Sequence, residues 1–404
     1  ILSLSQGYSG VRLEVVEQLV ALLNADALPA IPSQGSVGAS GDLAPLAHMA
    51  LALIGEGRIL LNGHFTPADK ALAQLNLQPL VLQAKEGLAL INGTQVSTAL
   101  GLLGAIRMHN LVRVADIVGS LSVDGLAGTP QPFRSEVHEL KKHAGQKDAA
   151  ANLSKLMQGS AIRESHRHDD ERVQDIYSLR CMPQIHGACR DALKFASRQL
   201  IHEALSVSDN PLVFPDSKEV ISAGHFHGEA VALGCDLAAL AAAEMGNISE
   251  RRLFALLSGN VGLPAFLVSQ PGLNSGFMML QVTSAALASE NKTLAHPASV
   301  DTIPTSADQE DHVSMSAWAG RKLLQVVDNL EHILALEYLA ACQAIDFHQG
   351  LKAGEAAMAA YQLLREHVPF IDEDRSLAPY IAHTRQLISS GAVVETVEKV
   401  VKLK

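Results

Sequence analysis

The chain is short of basic residues and of cysteines, and each shortage removes a class of function. Lysine and arginine together number 31 against 42 aspartates and glutamates, leaving a formal net charge of -11. A nucleic-acid partner needs clustered Lys and Arg and a basic balance, so no nucleic acid is expected and small-molecule chemistry becomes the default. The four cysteines, Cys181, Cys189, Cys235 and Cys342, show no Cys-x-x-Cys pairing. They read as reduced thiols of a cytoplasmic protein, which argues against a disulfide framework or a zinc ribbon. No signal peptide is visible, and a chain that starts at Ile1 rather than methionine is expected to begin inside a longer polypeptide. Residues 228–247 form the most apolar long stretch yet carry Glu229, Asp236 and Glu244, so a buried bundle helix is expected there and no membrane span. Internal repeats and low-complexity linkers are missing too.

What the 404 residues do contain is helical periodicity on an unusual scale. A loop at 6–10 leads into a helix carrying Val11, Val15, Val16, Leu19, Leu22 and Leu23, and a second helix is expected over 48–54. Residues 55–63, with Asn62-Gly63 as the turn, read as a small β-hairpin and give the only good strand signal. Three later segments, 96–122, 228–257 and 321–349, each allow about 25 to 30 residues of helix, or roughly 40 Å of rod. In the last, Leu323, Val327, Leu330, Leu334 and Ala341 trace one stripe while Leu324, Val326, Ile333 and Leu336 trace a neighbouring one. A helix apolar over most of its circumference belongs in the core of a large bundle or in a subunit interface. The expected fold is mainly α, a long-helix bundle with one small β-hairpin in its N-terminal part, assembled as a dihedral homo-oligomer. Three consecutive parts are expected: 1–95, the central bundle 96–350, and a small helical region 351–404.

One loop stands out against this background, Gly35-Ser36-Val37-Gly38-Ala39-Ser40-Gly41-Asp42. It is not a phosphate-binding loop, because no Gly-Lys-Ser/Thr follows, nor a dinucleotide fingerprint, because its glycines recur every third residue. It is one residue short of the Gly-x-Ser-x-Gly nucleophile elbow. Two readings remain. In the first, a Gly/Ser loop enters a helix with Ser40 or Asp42 as N-cap. In the second, the amide nitrogen of Gly41 attacks the carbonyl carbon of Ala39, two waters leave, and the backbone closes into a methylidene-imidazolone ring. Ser40 then becomes an exocyclic alkene, an electrophile no natural side chain supplies. Small Ala39 and Gly41 permit the tight backbone approach, and the serine β-hydroxyl is the group lost.

Other loops carry polar residues in pointed combinations. Asn92-Gly93-Thr94 precedes the first rod, so the Asn92 carboxamide and the Thr94 hydroxyl fall at a helix N-terminus, as a cap and turn or facing an anionic ligand. Gln174, Tyr177 and Arg180 fall at i, i+3 and i+6, so in a helix they point broadly one way. Arg180 there can grip a carboxylate through two parallel hydrogen bonds, and an ordinary surface helix with an ion pair fits the same spacing. Phe226, in His225-Phe226-His227-Gly228, offers an aromatic wall. The pairs His225/His227 and His166/His168 lack the i, i+4 or Glu-linked spacing of catalytic zinc motifs, so no metal is expected. Residues 306–312 concentrate acids and amides before the third rod, either as a solvated helix N-terminus or with Glu310 binding a polar or cationic side chain.

Taken together, Gly38-Ala39-Ser40-Gly41-Asp42-Leu43-Ala44-Pro45-Leu46-Ala47-His48 resembles the signature of the aromatic amino acid ammonia-lyases and aminomutases, which build a methylidene-imidazolone prosthetic group. Asn92-Gly93-Thr94, Gln174-Asp175-x-Tyr177-Ser178-x-Arg180 and Gln309-Glu310-Asp311-His312 follow in that family's order, and the resemblance covers essentially the whole chain. Gln309-Glu310-Asp311-His312-Val313-Ser314-Met315 and Cys181-Met182-Pro183-Gln184-Ile185-His186-Gly187 look most like the histidine-acting branch. The resemblance implies a cytoplasmic homotetramer with active sites shared between subunits, converting L-histidine to trans-urocanate and ammonia with no external cofactor. It implies that Ala39, Ser40 and Gly41 form the 4-methylidene-imidazol-5-one, that Asn92 and Tyr177 line it, and that residues 1–95 are the part bearing it. It further implies that Arg180 binds the substrate carboxylate, Gln174 and Phe226 flank the substrate, and Glu310 lies near the imidazole.

A tyrosine or phenylalanine lyase or aminomutase shares this pattern, and an inactive helical scaffold would keep the bundle without the chemistry. Elimination also needs a general base for the β-proton. In the family this is a tyrosine N-terminal to the glycine-rich loop, and Tyr8, the only tyrosine before Ala39, sits in Gln6-Gly7-Tyr8-Ser9-Gly10, which matches a later family segment. Residues 1–404 alone are therefore expected to deaminate histidine poorly. Release of urocanate by this chain at the rate of a full-length relative would overturn that expectation.

Overall fold

Long apolar periodicity becomes long helices. The computed structural model describes residues 1–168, 170 and 172–404. Its helices include α1 (Leu13–Asn24), α2 (Leu43–Leu53), α3 (Gln95–Gly125), α4 (Met182–Ala204), α5 (Glu229–Leu257) and α6 (Ser316–Asp346). The rods expected at 96–122, 228–257 and 321–349 are α3, α5 and α6, at 31, 29 and 31 residues. The 23-residue α4 is missed by the sequence reading. Pro183 and Gly187 look like breaks there, but proline in the first turn removes an N–H that has no intrahelical partner and is tolerated.

Strands are few and short. The expected hairpin is present as β2 (Arg58–Leu61) and β3 (His64–Pro67), and β1 (Leu28–Pro29) adds to it, giving the antiparallel order β1-β2-β3. Asn62 and Gly63, both at positive φ (51° and 80°), turn the chain so that Leu61 pairs with His64. A second antiparallel pair, β4 (Leu212–Phe214) with β5 (Glu219–Ile221), gives no strand signal in the sequence. Strands of three residues are too short to show an alternating pattern. β4 is also tied to the loop before α1, where the Val213 N–H donates to the Tyr8 carbonyl at 2.8 Å.

The described residues form two compact units. The first comprises Ile1–Gly104, Ala196–Asp236 and Pro297–Leu324; the second comprises Ala105–Phe195, Leu237–His296 and Gln325–Lys404. The opening stretch of the first unit contains the whole expected segment 1–95, and the remainder of that unit returns from two later parts of the chain. Val15 and Leu22 of α1, Leu53 of α2, Ile59 and Leu61 of β2, and Leu72 form its apolar centre near the hairpin. Glycine inside a helix costs about 1 kcal/mol relative to alanine, and α3 keeps Gly101 because of what lies beside it. A Cβ there would fall 2.6 Å from Leu200 Cδ2 and 2.8 Å from Cys235 Sγ, so the glycine lets α3 approach α4 and α5 closely. The buried Lys322–Asp236 ion pair, at 2.7 Å, joins α6 to α5 in the same unit. By length and composition 86–125 and 229–257 could each cross a membrane, but 56% and 72% of their apolar windows are buried inside the protein. That is how core helices behave.

In the second unit the centre holds a fully buried ion pair. Arg252 of α5 donates through Nε to Glu337 Oε1 at 2.5 Å and through a terminal nitrogen to Oε2 at 2.9 Å. Ser122 and Ser249 each donate a hydroxyl to the same carboxylate, at 2.6 and 2.5 Å, so its remaining lone pairs are used. Removing one partner of such a pair leaves an uncompensated buried charge, costing about 3–5 kcal/mol.

Asp124, near the end of α3, is also buried, and burial pushes its carboxyl up from the ordinary 3.8 to about 6, against the Ser160 hydroxyl and Gly354 N–H that favour the ionised form. Between those two values the folded protein holds a proton that the unfolded chain has released, so this group's contribution to stability falls as pH rises from about 4 to about 6. The Asp124→Asn variant lacks that titration. Urea unfolding across this window is expected to show wild type losing about 2–3 kcal/mol relative to the variant, and parallel curves would refute the assignment.

Candidate active site

Two glycines of the glycine-rich loop, Gly38 and Gly41, are held to that residue type by contacts. Gly35, Gly38 and Gly41 all have positive φ, at 129°, 65° and 73°, which side chains disfavour. A Cβ on Gly41 would lie 2.3 Å from the Gly93 carbonyl oxygen, and one on Gly38 would lie 2.4 and 2.5 Å from the Ser314 and Ser316 hydroxyl oxygens. Only glycine lets the backbone come this near. Between them Ser40 is half-buried, and the buried Asn92 Nδ2 donates both to the Ser40 carbonyl at 2.8 Å and to its hydroxyl oxygen at 2.9 Å. One amide thus holds the two groups of Ser40 that a cyclisation would involve. Asn92 ends the short helix Glu86–Ile91, and Thr94 stands immediately before α3, its hydroxyl donating to Glu203 at 2.6 Å.

A closed circuit of hydrogen bonds surrounds the tripeptide. The Ser36 hydroxyl donates to Asp42 Oδ1 at 3.1 Å, and the Ser97 hydroxyl donates to the same oxygen at 2.7 Å. Ser316 donates to Ser97 at 3.0 Å, and the Ser316 N–H reaches back to the Ser314 hydroxyl at 3.3 Å. Ser314 donates to the Gly38 carbonyl at 2.9 Å, and the Gly38 N–H returns to Ser36 at 3.0 Å. Asp42 also accepts the Ser97 backbone N–H at 2.7 Å, in the first turn of α3. Asp42 precedes α2, yet its carboxylate caps α3 and makes no bond to the start of α2, which corrects the N-cap reading. Burial pushes the Asp42 carboxyl above its ordinary range, and the Ser97 and Ser36 donors pull the other way.

The remaining first-unit residues lie on two further loops. Phe226 sits half-buried in a turn before α5. Glu310 is half-buried too, and its Oε2 accepts hydroxyls from Thr305 at 2.6 Å and Ser306 at 2.7 Å. Residues 306–312 do not cap the third rod, which begins at Ser316; Thr305 and Glu310 pair across a short bridge instead.

Gln174, Tyr177 and Arg180 belong to the second unit. The helix covers only Tyr177–Arg180, so Gln174 does not share a helical face with the other two. The cause is Asp175, whose carboxylate turns inward to accept the Thr129 N–H at 2.8 Å and holds the preceding backbone in bends. Tyr177 is 70% exposed, the Arg180 guanidinium lies over its ring at 4.8 Å, and Arg180 Nε is buried with no hydrogen-bond partner among the described residues.

The family profile described as "Aromatic amino acid lyase" matches residues 1–366. The chain belongs to that family. It is 53% identical over 393 residues to a histidine ammonia-lyase of Aromatoleum aromaticum, covering 97% of this chain and 74% of the relative. It is 52% identical over 391 residues to one from Burkholderia vietnamiensis, covering 96% and 77%. Among solved structures, the histidine ammonia-lyase of Trypanosoma cruzi superposes with a TM-score of 0.92 at 43% identity, covering 99% of this chain and 76% of that one. The tyrosine aminomutase of Streptomyces globisporus superposes with a TM-score of 0.93 at 38% identity, covering 100% and 80%. The mainly helical fold of this family is thus the fold of the chain.

Ser40 and Asn92, both marked by local motifs in this lyase-family chain, meet in the structure, whereas no motif marks the serines that shape the loop. Ser314 is 276 residues from Gly38, and no local pattern marks such a partner. The glycines at 38 and 41 are the available signal, since a demand for no side chain implies a close neighbour. Gly41→Ala is expected to destabilise the protein by about 1–3 kcal/mol through strain at positive φ and the clash with Gly93. Urea denaturation checks this, and an unchanged midpoint would show that the loop is free to move away.

Proposed function

We infer that this chain is the histidine-deaminating kind of aromatic amino acid lyase, releasing ammonia from L-histidine to give trans-urocanate. The observation that carries the reading is the grip of Asn92 on both the carbonyl and the hydroxyl of Ser40, inside a turn that only glycine can make at position 41. Ala39, Ser40 and Gly41 fit a 4-methylidene-imidazol-5-one, because Gly41 turns at positive φ with no side chain to hinder its nitrogen and Asn92 is in place to hold Ser40. When present, that group supplies an electrophilic character that amino-acid side chains lack. The names of the nearer relatives support histidine as the substrate.

The other residues divide the work of holding the substrate. Arg180, whose Nε has no hydrogen-bond partner among the described residues, binds the carboxylate as a two-pronged fork. Tyr177 lines the prosthetic group, and Gln174 and Phe226 flank the substrate. Both hydroxyl bonds to Glu310 fall on Oε2, and Oε1 is the oxygen this reading assigns to the imidazole N–H. A carboxylate there favours a heteroaromatic ring that can donate a hydrogen bond over a phenyl ring. The reading further takes the enzyme to be a homotetramer with active sites shared between subunits. Exposed Leu103 and Ile106 of α3 and Leu233, Leu240 and Phe254 of α5 offer apolar surface for such an assembly. A cytoplasmic setting suits its four free cysteines, of which Cys189 and Cys235 are buried with thiols pushed up to about 12.

The test pairs intact mass with a substrate scan. The mass is expected to fall short of the sequence value by about 36 Da, two waters, and Ser40→Ala is expected to restore it and abolish ammonia release. Histidine is expected to be the best of histidine, tyrosine and phenylalanine, with Glu310→Gln lowering its turnover roughly 10- to 100-fold. Full unmodified mass with no ammonia from any of the three would favour a scaffold, and a preference for tyrosine would favour the aminomutase reading.

A further inference from the structure

Three side chains that no sequence spacing links converge beside the loops just described. The ligating atoms of His227, Glu229 and His312 all lie within 4.8 Å of one another, and the two imidazole rings stand 5.6 Å apart between centroids. His225/His227, the pair visible in the sequence, is not the pair that meets; His227 finds His312, 85 residues further on. Glu229 Oε2 is buried and has no hydrogen-bond partner among the described residues. Leaving such an oxygen unsatisfied costs about 1–3 kcal/mol or more, so a positive or proton-donating partner is called for at that point.

The backbone holds these groups in place independently of any ion. Gly228, between two of them, abuts the Ser316 and Ser314 hydroxyls, where a Cβ would lie at 2.6 and 3.1 Å. His312 arrives on the strand of chain that leads into those same serines, and the next residue, Val313, donates its N–H to Thr302 Oγ1 at 2.9 Å. His312 is exposed and so has room to turn.

We propose that His227, Glu229 and His312 form a three-ligand site for a divalent transition cation of the zinc class. Two imidazole nitrogens and one carboxylate oxygen suit zinc or cobalt, whereas calcium and magnesium take oxygen ligands. Bonds of about 2.0–2.2 Å set tetrahedral donors about 3.4 Å apart, so the side chains close by little more than an ångström. Glu229 opens α5, whose positive end opposes a cation; the Glu229 carboxylate offsets that. Three protein ligands leave one position for water or a small ligand. A cation here joins the loop carrying Phe226 to the loop carrying Glu310.

The test uses metal alone and does not depend on lyase activity. Metal-free, tag-free protein is titrated with Co2+, followed by its visible ligand-field bands, and with Zn2+ by calorimetry. One equivalent per chain is expected to bind, to raise the unfolding temperature at saturation, and to bind at least about 10-fold more weakly in His312→Ala, with the bands lost. His64→Ala, an exposed histidine outside the cluster, is expected to bind as wild type does. His227→Gln serves as second variant if His312→Ala does not fold. Absence of a stoichiometric site at micromolar metal, or binding unchanged by His312→Ala and His227→Gln, would overturn the proposal.

Discussion

The carboxylate of Asp42 lies out of contact with solvent, and the site region is arranged around keeping it satisfied there. A buried carboxylate is expensive unless donors surround it, and Asp42 receives the Ser97 N–H, the Ser97 hydroxyl and the Ser36 hydroxyl. The first of these belongs to the opening turn of α3, where the helix end favours negative charge. One side chain therefore fixes the end of the glycine-rich loop against the beginning of a 31-residue rod. The hydroxyl circuit through Ser316, Ser314 and Gly38 carries the constraint back to the front of the loop. Ala39, Ser40 and Gly41 are thus held from both ends, and Asn92 holds the middle.

Rigidity at the ends of rods is what a long-helix fold offers a small reactive loop. α3, α5 and α6 each begin next to a segment that bears residues of the proposed site: Asn92 before α3, Phe226 before α5, and the Glu310 loop before α6. The loops vary in chemistry while the rods fix where they start. Charge inside the rods is handled by pairing, with Lys322–Asp236 in the first unit and Arg252–Glu337 in the second. Such pairs add little net stability, but they make any sliding of one helix along another costly, because a shifted register would strand both charges.

The sequence made the rods legible because their apolar residues continue around most of the helix for 25 residues or more, a pattern no surface element needs. It made the hairpin legible through Asn62-Gly63, where two positive φ angles demand those residue types. It marked Ser40 and Asn92 through local motifs. The rest rests on partners far away in the chain. β4 and β5 are too short to show a period, and Asp42 looks like a cap for the helix it precedes while serving another. The i, i+3, i+6 spacing predicts a helical face for Gln174, but Asp175 spends its carboxylate on Thr129 and the helix begins only at Tyr177. Ser314, Ser316 and His312 acquire meaning only when the chain has returned to the first unit.

That return has a consequence for timing. Gly38 is shaped by Ser314, 276 residues later, and at about 5–20 residues per second of synthesis roughly 14 to 55 s separate the two on the ribosome. Throughout that interval the Gly38 end of the loop lacks its Ser314 partner. The mould around Gly38 is complete only once Ser314 has been made, so a reactive group that needs the whole mould forms on a finished scaffold.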